Sequence, residues 1–254
     1  SGNLVRQYTN TAPPPSLMPN VPTYWFSPPE GLPTTAGLHR VLWDLRYPDP
    51  RTLPYGYSGN MLTYTEYTLT WHAVRGNTPR VQPPGIMAIP GKYTVELTVD
   101  GHTYEQDFTL RNDPRVPVTQ EQLAAQFESE KVITAGMATS YDGYYVVDRM
   151  RKALAANEAR IAGKPNASEV TAAIGSLSRQ LSQLADGEFG FANRDLTRHL
   201  EDADFGDLLP TESNLGAVQA NCRQIDAALT ELHRLRTTTI PQLNTVLEHA
   251  QLTP

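Results

Sequence analysis

The hydrophobic positions of the chain follow two different periods, and the change comes near residue 114. Before it, apolar and polar residues alternate, as in GKYTVELTVDGHTYEQDFTL at 91–110, and a period of two predicts strands. After it, apolar residues recur every three or four positions, which predicts helices. We therefore predict a β domain at 1–113, a proline-containing linker at 114–118 and a domain of three long helices at 119–254.

The clearest strand signal is a hairpin around Asp100 and Gly101. Both residues tolerate positive φ, as a two-residue type I′ turn requires. This turn pairs Tyr93 with Phe108 and Leu97 with Tyr104. We expect the face carrying these residues to point into a core and the opposite face, which carries threonines and acids, to be solvated.

A second strand pair is predicted at 61–74, and a further strand at LVRQYT near the start of the chain. Six or seven short strands suit a small antiparallel sandwich of the immunoglobulin or fibronectin type III class. The predicted fold is therefore α+β, with an N-terminal β-sandwich followed by a C-terminal bundle or hairpin of long helices.

The stretch GLHRVLWDLRYPDP at 37–50 raises the question of a catalytic cluster. In a strand, side chains alternate between the two faces. Trp43 would then point into the core, and Asp44 would lie between Arg40 and Arg46 in a charge ladder on the surface. We interpret the stretch as a structural strand.

The helical half contains cap signals before each predicted helix. Thr119 with Gln122 forms a capping-box pattern ahead of a helix at 120–161, in which Gly136 and Gly143 suggest a bend. Asn166 and Thr211 are predicted to cap the second and third helices.

Two apolar seams predict that these helices pack side by side. The second helix carries Val170, Ile174, Leu177, Leu181 and Leu184, and the third carries Leu215, Val218, Cys222, Ile225, Leu229 and Leu232. Pro241 should interrupt the third helix near 237–240. The intervening residues 187–210 are predicted to be a long connection with a short helix at 194–203.

Few residues of the sequence suggest a catalytic site. A glycosidase needs two acids flanking a cleft, but Glu96, Glu105 and Asp107 fall on the predicted wet face of the hairpin. Glu66 is the fourth candidate acid, and the run Glu201, Asp202 and Asp204 is typical of a solvated helix end. No catalytic residue is therefore assigned.

Metal and cofactor sites are not indicated either. The six histidines lack metal-ligand spacing, and Cys222, the one cysteine, is interpreted as a buried inert thiol within the seam. No cofactor is predicted.

Aromatic residues give the best binding candidates. Tyr24 and Trp25 lie between proline-rich segments, and Tyr55 and Tyr57 lie in a glycine-rich loop. Flat rings of this kind can stack on sugars or close the ends of a sandwich. A carbohydrate-binding module is therefore kept as an alternative function, and a glycoside hydrolase as a second alternative.

The net charge and the hydropathy of the chain limit the classes of partner that we expect for it. The net charge is −6 and no long basic run occurs, which argues against nucleic acid. No apolar run reaches the roughly 18 residues of a transmembrane helix.

The chain begins SGNLVRQYTN, without Met, and we interpret it as a piece of a longer protein.

Three stretches resemble a known family: VPTYWFSPPEGLPTTAGLHRVLWDLRYPDP, AIPGKYTVELTVDGHTYEQDFTLRNDPRV, and the helical tail with LPTESN and IPQLN. They are similar to the C-terminal region of bacterial exported proteins with BNR repeats, a sortilin- or sialidase-type β-propeller class often labelled glycosyl hydrolase. The resemblance covers nearly the whole chain, but the propeller repeats themselves are not in it.

This resemblance implies secretion or a periplasmic location, and an upstream propeller domain of the same parent protein as the partner. Any hydrolase label would belong to that upstream part. We therefore expect a non-catalytic accessory module that serves for docking or as a spacer, with a glycan or another protein as a further partner.

Overall fold

The computed structural model describes residues 2–11, 32–53, 83–165, 167–204, 206 and 209–252. Its elements are β1 (Gly91–Val99), β2 (His102–Leu110), α1 (Gln120–Ile161), α2 (Ala167–Ser182), α3 (Phe191–Ala203), α4 (Glu212–Arg234) and α5 (Ile240–His249), with π-helical segments at Gln183–Gly190 and Leu235–Thr239.

The described residues fall into two compact units. The first takes its members from Ser1–Pro50, Pro54–Val132 and Leu200–Thr211. The second takes them from Arg51–Leu53, Ile133–His199 and Glu212–Pro254. The domain boundaries predicted from composition stay a prediction.

The predicted N-terminal β-sandwich is wrong. In the described residues the only sheet is two-stranded, formed by β1 and β2, and the chain is dominated by helices. Alternation of apolar and polar residues indicates only a local preference for a strand, whereas a strand in a sheet also needs a second backbone segment with which to pair. LVRQYT forms no strand, and the predicted pair at 61–74 lies outside the described residues.

The stretch at 37–50 is extended but is not a regular strand. It makes one isolated bridge, between Arg46 and Met87. Leu45 has a φ of 62°, so the alternation of side chains breaks there. As a result Arg46 is buried, and its predicted place in a surface charge ladder is wrong.

Helix α1 begins and ends where the sequence predicted. The backbone N–H of Thr119 donates to Gln122 Oε1 at 2.9 Å, and the N–H of Gln122 donates to Thr119 Oγ1 at 3.2 Å. This reciprocal pair is the predicted capping box, which satisfies two amides of the first turn.

Helix α2 runs through the π-helical segment into α3 without a loop. All five apolar residues predicted for its seam are buried, from Val170 to Leu184. The predicted connection after residue 187 is therefore wrong in its first part, since Gly187 and Gly190 are helical. The predicted helix at 194–203 is confirmed and begins earlier, at Phe191. The predicted cap Asn166 lies outside the described residues.

Helix α4 starts directly after Thr211, as predicted, but its buried stripe is shifted. The residues that face the interior are Val218, Asn221, Ile225, Ala228 and Leu232. Leu215 and Leu229, which the sequence placed in the seam, are exposed. The buried positions keep the spacing of three and four, so the error is one of phase along the same helix.

The predicted interruption before Pro241 is confirmed. The α-geometry gives way to a π-helical turn at Leu235–Thr239 and resumes in α5, with Pro241 in its first turn. Proline lacks an N–H and its ring clashes with the carbonyl four residues earlier. A wider π turn moves that carbonyl aside.

Candidate interaction surface

The β1–β2 hairpin has the predicted register and turn. Leu97 pairs with Tyr104, and Val99 pairs with His102. Asp100 and Gly101 both have positive φ, at 50° and 79°, as a type I′ turn requires. The sequence therefore predicted this element correctly.

The apolar face of the hairpin is exposed over its distal half. We call this face the hairpin apolar face; it consists of Val95, Leu97, Val99 and Tyr104. Leu97 is 54% exposed and Tyr104 62% exposed. The prediction that this face points into a core is wrong for these four residues.

The basal half of the same face is packed by aromatic rings. Trp43 lies edge-on to Tyr93, with ring centroids 5.8 Å apart, and edge-on to Phe108, at 6.2 Å. Tyr93 and Phe108 stack at 5.7 Å, and Tyr93 donates its hydroxyl proton to the carbonyl of Ile89 at 2.6 Å. Trp43 is thus a packing residue, as predicted, and it anchors one end of the hairpin.

The opposite face of the hairpin is polar, as predicted. Thr94 donates to Asp107 at 2.7 Å, and Thr98 and Thr103 share a hydrogen bond of 3.1 Å. These cross-strand pairs stabilise the hairpin without apolar burial. The two faces of one element therefore differ sharply in the surfaces they can recognise.

A buried charge cluster lies elsewhere in the first unit, formed by Arg46, Glu130 and Asp204. Arg46 Nη1 is 2.9 Å from both carboxylate oxygens of Asp204, and its hydrogen bond goes to Oδ1. Among the described residues no hydrogen bond reaches Asp204 Oδ2. The side chains of Arg46 and Asp204 are over nine-tenths buried, so this is an interior ion pair.

Glu130 is the most deeply buried member, at 2% exposure. Gln126 donates to its Oε1 at 3.1 Å. Burial, and next the negative charge of Asp204, raise the pKa of Glu130 from 4.5 to about 7. Two carboxyl groups thus share one guanidinium, and one of them holds a proton near neutral pH.

Sequence reasoning missed this cluster. The acidic run predicts a solvated helix end for Asp204, and the sequence patterns give no role to Glu130. Glu130 nevertheless lies three residues after Phe127 and seven before Met137, on the apolar stripe of α1. A charged residue in a stripe of this kind needs a buried partner, and that signal could have identified it.

The π-helical segment at Gln183–Gly190 borders an open groove of about 460 Å³ in the second unit. Its lining includes Ser178, Ser182, Gln183 and Asp186. Asp186 forms an ion pair with Arg151 at 3.0 Å. The described lining therefore holds hydroxyl and amide groups, the guanidinium of Arg179 and an ion-paired acid, and no nucleophile–base pair.

The other residues singled out in the sequence are the four aromatic binding candidates, the acids of the hairpin, Glu66 and Cys222. Tyr24, Trp25, Tyr55, Tyr57 and Glu66 lie outside the described residues. Glu96, Glu105 and Asp107 are exposed on the hairpin, as predicted. Cys222 is half-buried, and burial raises the pKa of its thiol, which disfavours the reactive thiolate.

Within the part of the chain that the structure describes, no three metal-ligating side chains come together. In those same residues, no helix combines the length and the apolar character needed to cross a bilayer.

No protein-family model, curated protein or solved structure matches the chain. The family implied by the resemblance therefore remains a proposal.

Proposed function

We propose that this chain is a non-catalytic interaction module, and that the hairpin apolar face docks against another domain of the same parent polypeptide. The observation that carries this proposal is the exposure of Val95, Leu97, Val99 and Tyr104 beside a well-packed base.

The low stability of an isolated hairpin in water favours the proposal that a partner covers the hairpin apolar face. An isolated two-stranded hairpin is marginal in water and needs packing on one face. Trp43 supplies that packing only at the basal end. A partner that covers the distal half would remove its apolar side chains from water, which stabilises by roughly 25 cal/mol per Å² of apolar surface.

The nature of the partner follows from the chemistry of the two faces. The hairpin apolar face offers aliphatic groups and one phenol ring, so its partner should present an apolar patch. The resemblance to exported BNR-repeat proteins supplies the identity we propose, an upstream β-propeller domain. The same resemblance supports a proposed location outside the cytoplasm, by secretion or in the periplasm.

Site-specific photo-crosslinking in the full-length parent protein tests this function. A photo-reactive amino acid at position 97 should crosslink within the same polypeptide, to peptides of the upstream domain. The same group at position 96, on the polar face of β1, is the matched control and should crosslink weakly. Mass spectrometry of the digested product identifies the partner peptides.

Three other results would contradict the proposal. Crosslinks from position 97 to a second copy would indicate self-association. Crosslinks to residues 54–82 would mean that this chain covers its own hairpin. Equal crosslinking from positions 96 and 97 would mean that neither face is a specific interface.

A further inference from the structure

The buried charge cluster joins three segments of the first unit that are distant in sequence. Arg46 comes from the extended stretch, Glu130 from α1, and Asp204 from the turn after α3. Arg46 also donates to the carbonyl of Gly85 at 2.8 Å. Gln126 Nε2 lies 2.7 Å from the carbonyl oxygen of Ala203 and 3.0 Å from that of Gly206, and so ties α1 to the same turn.

The charges of this cluster balance only when one carboxyl is neutral. Among the described residues, the charged groups that face Glu130 are Asp204 from the turn after α3 and Arg46 from the extended stretch; Gln126, on the same helix as Glu130, is uncharged. With both acids ionised, one guanidinium faces two negative charges. A buried charge without a full counter-charge is costly.

We propose that Arg46, Glu130 and Asp204 form a proton-dependent latch, which holds the extended stretch 43–47 closed against α1 while Glu130 is neutral and releases it when Glu130 ionises. In the closed state Arg46 is the counter-charge of Asp204 alone, because Glu130 is neutral. After the proton leaves, the excess negative charge is relieved when this part of the first unit opens and water reaches the carboxylate. The proton is lost to solvent, and no covalent bond changes.

The latch is connected to the hairpin through Trp43. The indole Nε1 donates to the carbonyl of Arg46 at 3.0 Å, and the indole ring packs on Tyr93 and Phe108. Release of the stretch would therefore withdraw the ring that supports the base of the hairpin. The cluster would then set how much apolar surface the hairpin presents, as a function of pH.

Two backbone hydrogen bonds report the state of the stretch. The N–H of Tyr47 donates to Ile86 at 2.9 Å, and the N–H of Ala88 donates to Leu45 at 2.7 Å. Both bonds break if the stretch opens. Hydrogen exchange of peptides that contain these two amides therefore measures the opening equilibrium.

The test compares the chain at about pH 5.5 and about pH 8.5, with exchange corrected for the intrinsic chemical rate at each pH. Glu130 has a pKa of about 7 when closed and 4.5 as its ordinary value, so the opening constant should rise about 30-fold between the two pH values. Glu130→Gln keeps a side chain of the same shape and an oxygen for Gln126, and should reduce the change to about 2-fold or less.

Glu121→Gln, an exposed change in the first turn of α1, is the matched control and should keep the full pH effect. The proposal fails if protection of the Tyr47 and Ala88 amides is the same at both pH values. It fails equally if Glu130→Gln retains the pH effect, or if these two amides are protected as strongly as the amides of α4 at both pH values, since they would then exchange by global unfolding and not through a local latch.

Discussion

The ring of Phe189 fills the space where a side chain at Gly143 would lie. A Cβ built on Gly143 would be 2.5 Å from Cε1 of Phe189. Phe189 is fully buried in the π-helical segment. The glycine in the middle of α1 therefore permits close approach of two helical elements within the second unit, and the bend expected from the sequence stays a prediction.

The first prediction concerns this contact. Gly143→Ala should destabilise the chain by about 1–2 kcal/mol, because overpacking of about 1–3 kcal/mol exceeds the gain of up to about 1 kcal/mol from removing a helical glycine. Gly216→Ala is the control, since a Cβ there meets nothing within 4 Å and should stabilise α4. Urea unfolding measures both. Equal effects of the two substitutions would contradict the packing role.

Local signals in the sequence were sufficient for the elements whose partners are nearby in the chain. The capping box of Thr119 and Gln122, the turn at Asp100 and Gly101, and the interruption before Pro241 all depend on residues within a few positions of each other. Such features can be read without knowledge of the tertiary fold.

The sandwich and the buried charge cluster depend on distant partners, and here the sequence misled. The alternation in 37–50 predicts a strand, but no local rule signals the positive φ of Leu45 that turns Arg46 inward. The partners of Arg46 are Gly85 and Asp204, and sequence spacing cannot bring them together. The same limit applies to the hairpin apolar face, since alternation predicts which residues share a face but not what covers it.

The second prediction concerns Asn193, which holds residues 51–53 in the second unit. Its Oδ1 accepts from the N–H of Leu53 at 2.8 Å, and its Nδ2 donates to the carbonyl of Met137 at 2.8 Å. Asn193→Ala should cost about 2–4 kcal/mol, since it leaves a buried donor unpaired and opens a small cavity. Asn157→Ala, where the amide accepts from Arg160 at the surface, should stay within about 0.5 kcal/mol. Thermal and urea unfolding of both variants provide the comparison.

The third prediction concerns the ion pair of Arg46 and Asp204. Arg46→Met should destabilise the chain by about 3–5 kcal/mol, because Asp204 would remain buried without a counter-charge. Arg40→Met, an exposed change in the same stretch, should have an effect below about 0.5 kcal/mol. Equilibrium urea unfolding at neutral pH measures the difference.

A double-mutant cycle separates the charge penalty from lost packing. Asp204→Leu removes the carboxylate that Arg46→Met leaves buried without a counter-charge. The double variant should therefore regain a large part of the stability that Arg46→Met loses. Additive losses would show that the two side chains contribute independently and would contradict an interior ion pair.

The fourth prediction is the pH dependence of global stability. The pKa of Glu130 is raised from 4.5 to about 7 in the folded chain, so the folded state binds more protons than the unfolded state between these values. Its contribution to stability is fully present below pH 4.5 and is lost as the pH rises to about 7. Relative to Glu130→Gln, the native chain should therefore lose about 2 kcal/mol of unfolding free energy between about pH 5.5 and about pH 8.5.

The comparison with Glu130→Gln removes the contribution of all other titrating groups, because both chains share them. Urea unfolding at a series of pH values gives the two curves, and their difference should be steepest between pH 4.5 and 7, the interval set by the raised pKa of Glu130. Glu121→Gln should run parallel to the native chain throughout. A difference curve that is flat, or that rises with pH, would mean that Glu130 is already ionised in its buried position.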